Sequence, residues 1–234
     1  MRIKILASGS KGNCYRISDG ETSLLLEAGI PIREIQKGCD FRLSGIGGCL
    51  VSHEHGDHAK TADTLMKKGI DVYASQGTAA AKGWSGHRLR IVKSMEYFDI
   101  GTFTVMPFAL EHDAAENMGF FIISRETGER LLYVTDTHYV PYEFDGLTHI
   151  MCECNYDHNI LSANVRSGRI PHTLATRIID THMSIDGFEE MLCEMNLTRV
   201  KQIYLLHMSE DNSDAAAFKE RVQRLTGAEV YVCY

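Results

Sequence analysis

A chain of 234 residues, 44% hydrophobic and 24% charged, has ordinary globular composition and is long enough to bury a sizeable core without staples. Its formal charge of −7 argues against a protein held on nucleic acid by its overall field, although an enzyme with a locally positive site stays open. No apolar run approaches the roughly 18 residues of a membrane span, the apolar run after the basic start is too short for a signal peptide, and seven cysteines without a regular framework fit a reducing compartment, so a cytoplasmic protein is expected.

In chain order, "IKILA" (3–7) reads as a short first strand, followed by the Gly/Ser turn "SGSKGN". "CYRIS" and "SLLLEAG" then read as a hairpin. "GCLVS" (48–52) is a buried strand, and 57–69 reads as a helix with an acid at its start and Lys-Lys-Gly at its end. "IDVYAS", 102–110, 119–124, 130–135 and 149–154 read as further strands. In the last of these, Cys152 and Cys154 share one strand face and read as small core residues rather than metal ligands. A helix is expected over 185–195, a strand over 202–207, and a helix over 213–227 with Ser213 or Asp214 as N-cap and Gly227 after its end. "AEVYVC" closes the chain. With four prolines, no repeat and no linker, one compact domain over 1–234 is expected. Strands and helices in this mixture suggest two sheets covered by helices.

The stretch "LVSHEHGDHAK" (50–60) crowds three histidines and two acids behind an apolar strand. His53 and His55 are two apart at a strand end, so both side chains leave one face. Gly56 allows a sharp turn, and Asp57 and His58 follow at a helix start. Two metals can be held in this way, one by His53 and His55 and the other by Asp57 and His58. Neutral imidazole and carboxylate suit zinc, manganese or iron. Further ligands are expected from strand ends: His112 after 102–110, Asp136 after 130–135, and His207 after 202–206.

The motifs "LASGSKGN", "VSHEHGDH", "HDAAENMG", "VTDTHYV", "CECNYD", "RIPHTLATRI", "THMSIDGF" and "IYLLHMSEDNS", in this order, resemble the metallo-β-lactamase-fold hydrolases. Within them the chain is similar to the YycJ/WalJ type, bacterial and phage relatives of the RNase Z-like nucleases, from residue 3 to about 220. The resemblance implies an α/β, four-layered αββα sandwich with the site along one edge. It implies that His53, His55 and His112 bind one metal, that Asp57, His58 and His207 bind a second, and that Asp136 bridges them. It also implies His182 near the leaving group, and 5′→3′ exonuclease activity on DNA. Glu27 stands where relatives carry Asp, His138 where they carry glycine, and Ile185 where they carry Asn.

Two divalent ions outweigh two aspartate ligands and a bridging hydroxide, so such a centre stays positive and favours an anionic substrate. The expected reaction is in-line attack of hydroxide on a phosphodiester, with Asp57 orienting the water and His182 donating to the departing oxygen. From His158 to Ile179 there is no acid, and Arg166, Arg169 and Arg177 form a basic island suited to phosphate. Ser8, Ser10 and Asn13 in the first turn are weaker candidates for phosphate contacts. The expected substrate is DNA, with RNA second. The competing reading is a small-molecule hydrolase acting on a cyclic nucleotide, lactone or thioester. A regulator without chemistry is disfavoured because every ligand is present. No membrane partner is expected, and a dimer is compatible with the sequence.

Overall fold

Strand-to-strand hydrogen bonding explains why the first third of the chain folds as it does. The structure is a computed structural model that describes residues 1–234. Its contacts divide it into two compact units: Met1–Ala109 with Ala114–Arg130, and Leu110–Asp113 with Leu131–Tyr234.

In the first unit β1 (Arg2–Ala7), β2 (Cys14–Ser18) and β3 (Ser23–Leu26) form an antiparallel meander. From β3 the sheet continues in parallel through β4 (Ile46–Leu50), β5 (Val72–Ala74) and β6 (Leu89–Ile91). The strand order is β1-β2-β3-β4-β5-β6. The crossovers are helical: α1 (Ile32–Gly38), α2 (Gly56–Ala59), α3 (Ala62–Lys67) and α4 (Gln76–Lys82). Leu25, Cys49, Val51, Ile35 and Leu65 pack in one core cluster. All four residues of β3 are buried, as parallel strands with both faces covered require. The unit also carries β7 (Phe98–Ile100), β8 (Phe103–Leu110) and β9 (Asn117–Ser124) as consecutive neighbours.

The second unit is a parallel sheet with helices between its strands. β10 (Arg130–Val134), β11 (His149–Glu153), β12 (Gln202–Leu206) and β13 (Glu229–Val232) pair in that order, all parallel. The helices are α5 (His158–Arg166), α6 (His172–Thr181), α7 (Ile185–Glu194) and α8 (Ala215–Thr226). Asp214 caps α8 through the Ala216 and Ala217 amides, and Gly227 ends it in the left-handed region.

Two expectations from the sequence need revision. The helix over 57–69 is broken at Thr61. There the backbone is diverted to the chain after β3: Ala28 N donates to His58 O and Thr61 N donates to Ala28 O. The basic island from 158, to which the sequence assigned no secondary structure, is the helices α5 and α6, begun by Asp157 as N-cap and by Pro171. Their polar composition hides the helical period.

Candidate metal centre

In the first unit, the β4 ladder ends at Leu50 and leaves Val51, Ser52 and His53 as buried coil. The rings of His53 and His55 meet edge to face at 4.6 Å, and His53 and His58 lie 4.3 Å apart. His58 Nε2 is 3.3 Å from Asp57 Oδ2. Thus His53, His55, Asp57 and His58 converge, as the motif spacing predicts. Two of the imidazoles, His53 and His58, are fully buried.

Buried polar groups behind the motif hold it in place. Glu27 is fully buried, and both of its carboxylate oxygens accept from the Ser52 amide at 3.3 Å. Its Oε2 also lies 3.6 Å from His58 Nδ1, an outer-shell partner that orients the ring. Asn13 is fully buried too. Its backbone N donates to Asp57 O at 2.7 Å, and its amide nitrogen lies 3.2 Å from His58 Nε2. The sequence suggests a substrate contact for Asn13; here its backbone N and Nδ2 reach the histidine loop, while its Oδ1 accepts from Gly9 N and the Tyr15 hydroxyl within its own turn. Ser8 Oγ is 2.9 Å from the Tyr15 hydroxyl, and Ser10 is exposed. Gly29 permits the close approach of this turn, since a Cβ there would fall 1.6 Å from the Asp57 carbonyl oxygen.

In the second unit, the functional side chains stand at the C-terminal ends of neighbouring parallel strands, where open α/β sheets gather their sites. Asp136 follows β10, Glu153 ends β11 and His207 follows β12. Asp136 and His207 have positive φ of 51° and 48°, as does Glu27 at 64°. Such backbone costs on the order of 1–3 kcal/mol per residue and collects at functional sites. The side chain of Asp136 presents Oδ2 to His112 Nε2 and Oδ1 to His207 Nδ1, each at 3.6 Å. His112 Nδ1 faces the Thr181 carbonyl at 3.2 Å. That carbonyl can only accept, so Nδ1 carries the proton and Nε2 keeps its lone pair. Burial holds the His112 pKa below its usual value, which favours the neutral form that ligates metal.

Glu153 is the residue of this cluster that motif reading missed. It is fully buried. Its Oε1 accepts from Thr137 N at 2.7 Å and Met183 N at 3.2 Å, and its Oε2 faces His182 Nδ1 at 3.0 Å. One donor atom from each of Asp136, Glu153, His182 and His207 falls within a 4.8 Å group. Burial disfavours charge on both partners of the Glu153–His182 pair. Their mutual attraction outweighs it, lowering the Glu153 pKa and raising that of His182. The available signal was a lone acid inside the apolar strand "HIMCEC". Cys152 and Cys154 flank it as buried core residues, their thiols pushed up by burial.

The other candidates are not among these donor groups. Arg177 donates to Asp113 Oδ2 at 2.8 Å, so its charge is already answered. Arg166 and Arg169 are exposed, at the end of α5 and just after it. His138 is exposed, and Ile185 is buried at the start of α7.

The donor sets contain imidazole and carboxylate without a thiolate, a chemistry that suits divalent transition ions. Buried clusters of this kind at strand ends of an α/β fold define a metal-dependent hydrolase of metallo-β-lactamase type. The model of the β-lactamase superfamily domain matches residues 28–208. The chain is 30% identical to exodeoxyribonuclease YycJ of Bacillus anthracis over 233 residues, covering 91% of this chain and 84% of that protein. It is 30% identical over 230 residues to exodeoxyribonuclease WalJ of Streptococcus pneumoniae, covering 91% and 83%. Among solved structures, the metallo-β-lactamase fold protein YhfI from Bacillus subtilis matches with a TM-score of 0.72 at 14% identity, covering 99% of this chain and 95% of that one. The chain belongs to the β-lactamase superfamily and, within it, to the YycJ/WalJ family.

Proposed function

We propose that the protein is a metal-dependent phosphodiesterase, a 5′→3′ exonuclease acting on DNA, and that residues 1–234 work as one metallo-β-lactamase-fold domain. In this reading His53, His55 and His112 hold one divalent ion. Asp57, His58 and His207 hold a second, and Asp136 serves both. The opposed use of the two Asp136 oxygens, one toward His112 and one toward His207, supports the bridging role. Zinc, manganese and iron all suit these donors. Two bound ions would polarise a phosphoryl oxygen and bring the pKa of water toward neutrality.

The observation that carries the reading is the Glu153–His182 pair beside Asp136 and His207. The 3′ alkoxide leaving a DNA phosphodiester needs a proton. Glu153 fixes Nδ1 of His182 as the protonated nitrogen and favours the imidazolium. Nε2 is then free to donate to the departing oxygen. Asp57 orients the attacking water. Arg166 and Arg169 offer phosphate contacts, while Ser8 and Ser10 are further candidates for them.

The relatives named exodeoxyribonuclease cover nine-tenths of the chain, which favours DNA over RNA or a small diester. No helix is long and apolar enough to cross a membrane, and seven free cysteines suit a cytoplasmic protein. The test offers the protein, with Mn²⁺ or Zn²⁺, DNA and RNA labelled at either end, alongside cyclic nucleotides. Release of mononucleotides from the 5′ end of DNA is expected. Turnover of cyclic nucleotides alone would make the protein a small-molecule hydrolase. His182→Ala should slow DNA cleavage roughly 10²–10⁴-fold with metal content unchanged, and loss of a metal would make His182 a ligand.

A further inference from the structure

The first unit holds a surface pocket of about 500 Å³ that the catalytic reading does not use. Its wall begins at Ala59, the residue after His58. Lys60, Lys67 and Lys82 line it, against one acid, Asp63, and Met66 and Trp84 supply its apolar part.

Local structure fixes the indole. Lys82 ends α4, and Gly83 follows in the left-handed region with φ 63°. That turn brings Trp84 back, with its N–H donating to Ala79 O at 2.9 Å. Trp84 is half-buried and packs with Met66 against the core of the unit. An aromatic ring seated on the core by part of its surface is a rigid platform for stacking.

The charges point outward. Lys60, Lys67 and Lys82 are exposed, and neither Lys60 nor Lys82 makes an ion pair. Lys67 pairs with Asp63 at 3.1 Å, but that ammonium is 77% exposed, so the pair is weak and a phosphate can compete for it. Three cations against one anion, in a chain of net charge −7, give a local positive spot that requires an anionic occupant. An aromatic face with lysines around it matches an unpaired nucleobase flanked by phosphates. The volume falls in the ~300–1,000 Å³ range of small-ligand pockets, room enough for one nucleotide unit.

We propose that this pocket is an accessory single-strand site: one unpaired base stacks on Trp84, and the adjoining phosphates rest on Lys60, Lys67 and Lys82. Beginning one residue after His58, it would hold the strand near the histidine motif and extend the footprint beyond the scissile bond. The inference deepens the proposed nuclease reading and rests on it for the substrate class. A paired base is unavailable for stacking, so single strands are preferred over duplex.

Trp84 is the only tryptophan, so fluorescence excited at the red edge of indole absorption, where the tyrosines do not absorb, reports on this pocket. The intact protein, kept in EDTA so that no cleavage occurs, is titrated with a (dT)12 oligonucleotide. Saturable quenching is expected, weaker with the same length of duplex, with an abasic oligonucleotide and with dTMP. By anisotropy of a labelled (dT)12, Trp84→Leu should weaken binding roughly 5–100-fold, the range of one lost stack, while Trp84→Tyr stays within about twofold. The triple variant Lys60→Gln, Lys67→Gln, Lys82→Gln should weaken binding and flatten its salt dependence. Equal quenching by abasic and (dT)12 strands, or full affinity in Trp84→Leu, would overturn the proposal. Wild-type DNA hydrolysis with metal tests the nuclease reading separately. Hydrolysis without fluorescence quenching removes the pocket and keeps the nuclease. Quenching without hydrolysis does the reverse.

Discussion

Replacing Glu153 by glutamine tests the proton-donor arrangement with least disturbance of the fold. The carboxylate serves two jobs through different oxygens. Oε1 accepts from the Thr137 and Met183 amides, and Oε2 faces His182 Nδ1. A glutamine carbonyl can keep the first job. Its NH₂ cannot accept from His182, so the imidazole loses the charge that favours its protonated form and the acceptor that fixes its tautomer. DNA hydrolysis should fall by roughly 10²–10⁴-fold, the usual worth of general-acid help, equivalent to about 3–5 kcal/mol of barrier. Glu153→Ala adds a structural defect. It leaves two buried amide donors unsatisfied at ~1–3 kcal/mol each, a loss of about 2–6 kcal/mol in stability. The assay compares kcat/KM on end-labelled DNA with that on bis(p-nitrophenyl) phosphate, whose leaving group needs no proton. Metal content and Tm are measured alongside. Wild-type DNA turnover in Glu153→Gln, or equal losses on both substrates with metals retained, would refute the reasoning.

Asp136→Ala should lower the metal content from two ions to one or none by elemental analysis, because its two oxygens face ligands assigned to different ions. Substituting Arg166 and Arg169 together by glutamine should weaken DNA binding and reduce the salt slope by about 1.5, at ~0.7–0.9 per lost phosphate contact. Arg177→Gln should do somewhat less, since a phosphate must displace Asp113 from its guanidinium, although that pair is exposed and weak. His149 gives a pH prediction away from the metal ligands. It is buried, and burial together with the Lys201 charge lowers its pKa to about 4. The unfolded chain takes that proton near pH ~6.5. Between pH ~6.5 and ~4 the unfolded state therefore binds more protons, and stability falls as pH is lowered through that window, by about 2 kcal/mol at pH ~5. His149→Gln should flatten this limb in urea denaturation of metal-free protein, and an unchanged limb would exclude His149 as its source.

The sequence by itself determined the chemistry-bearing motif and the family. "HEHGDH" behind an apolar run brings its imidazoles and carboxylate together through spacing, because a strand end and a helix start set side-chain directions within a few residues. The same locality made most strands legible, along with α8 and its Asp214 and Gly227 caps. The tertiary structure alone decided what depends on partners distant in sequence. Asn13 lies 44 positions from Asp57, and only folding brought its backbone N and amide nitrogen onto the histidine loop. The helix expected over 57–69 broke because the backbone of Ala28 donates to His58 O and accepts from Thr61 N, bonds that no local propensity encodes. Arg177 was answered by Asp113, a residue 64 positions away. Glu153 looked like one more residue of an apolar strand, and its part emerged only when parallel pairing brought the ends of β10, β11 and β12 side by side. Strand propensity is written in neighbours along the chain, whereas a buried carboxylate takes its meaning from the groups that replace its water.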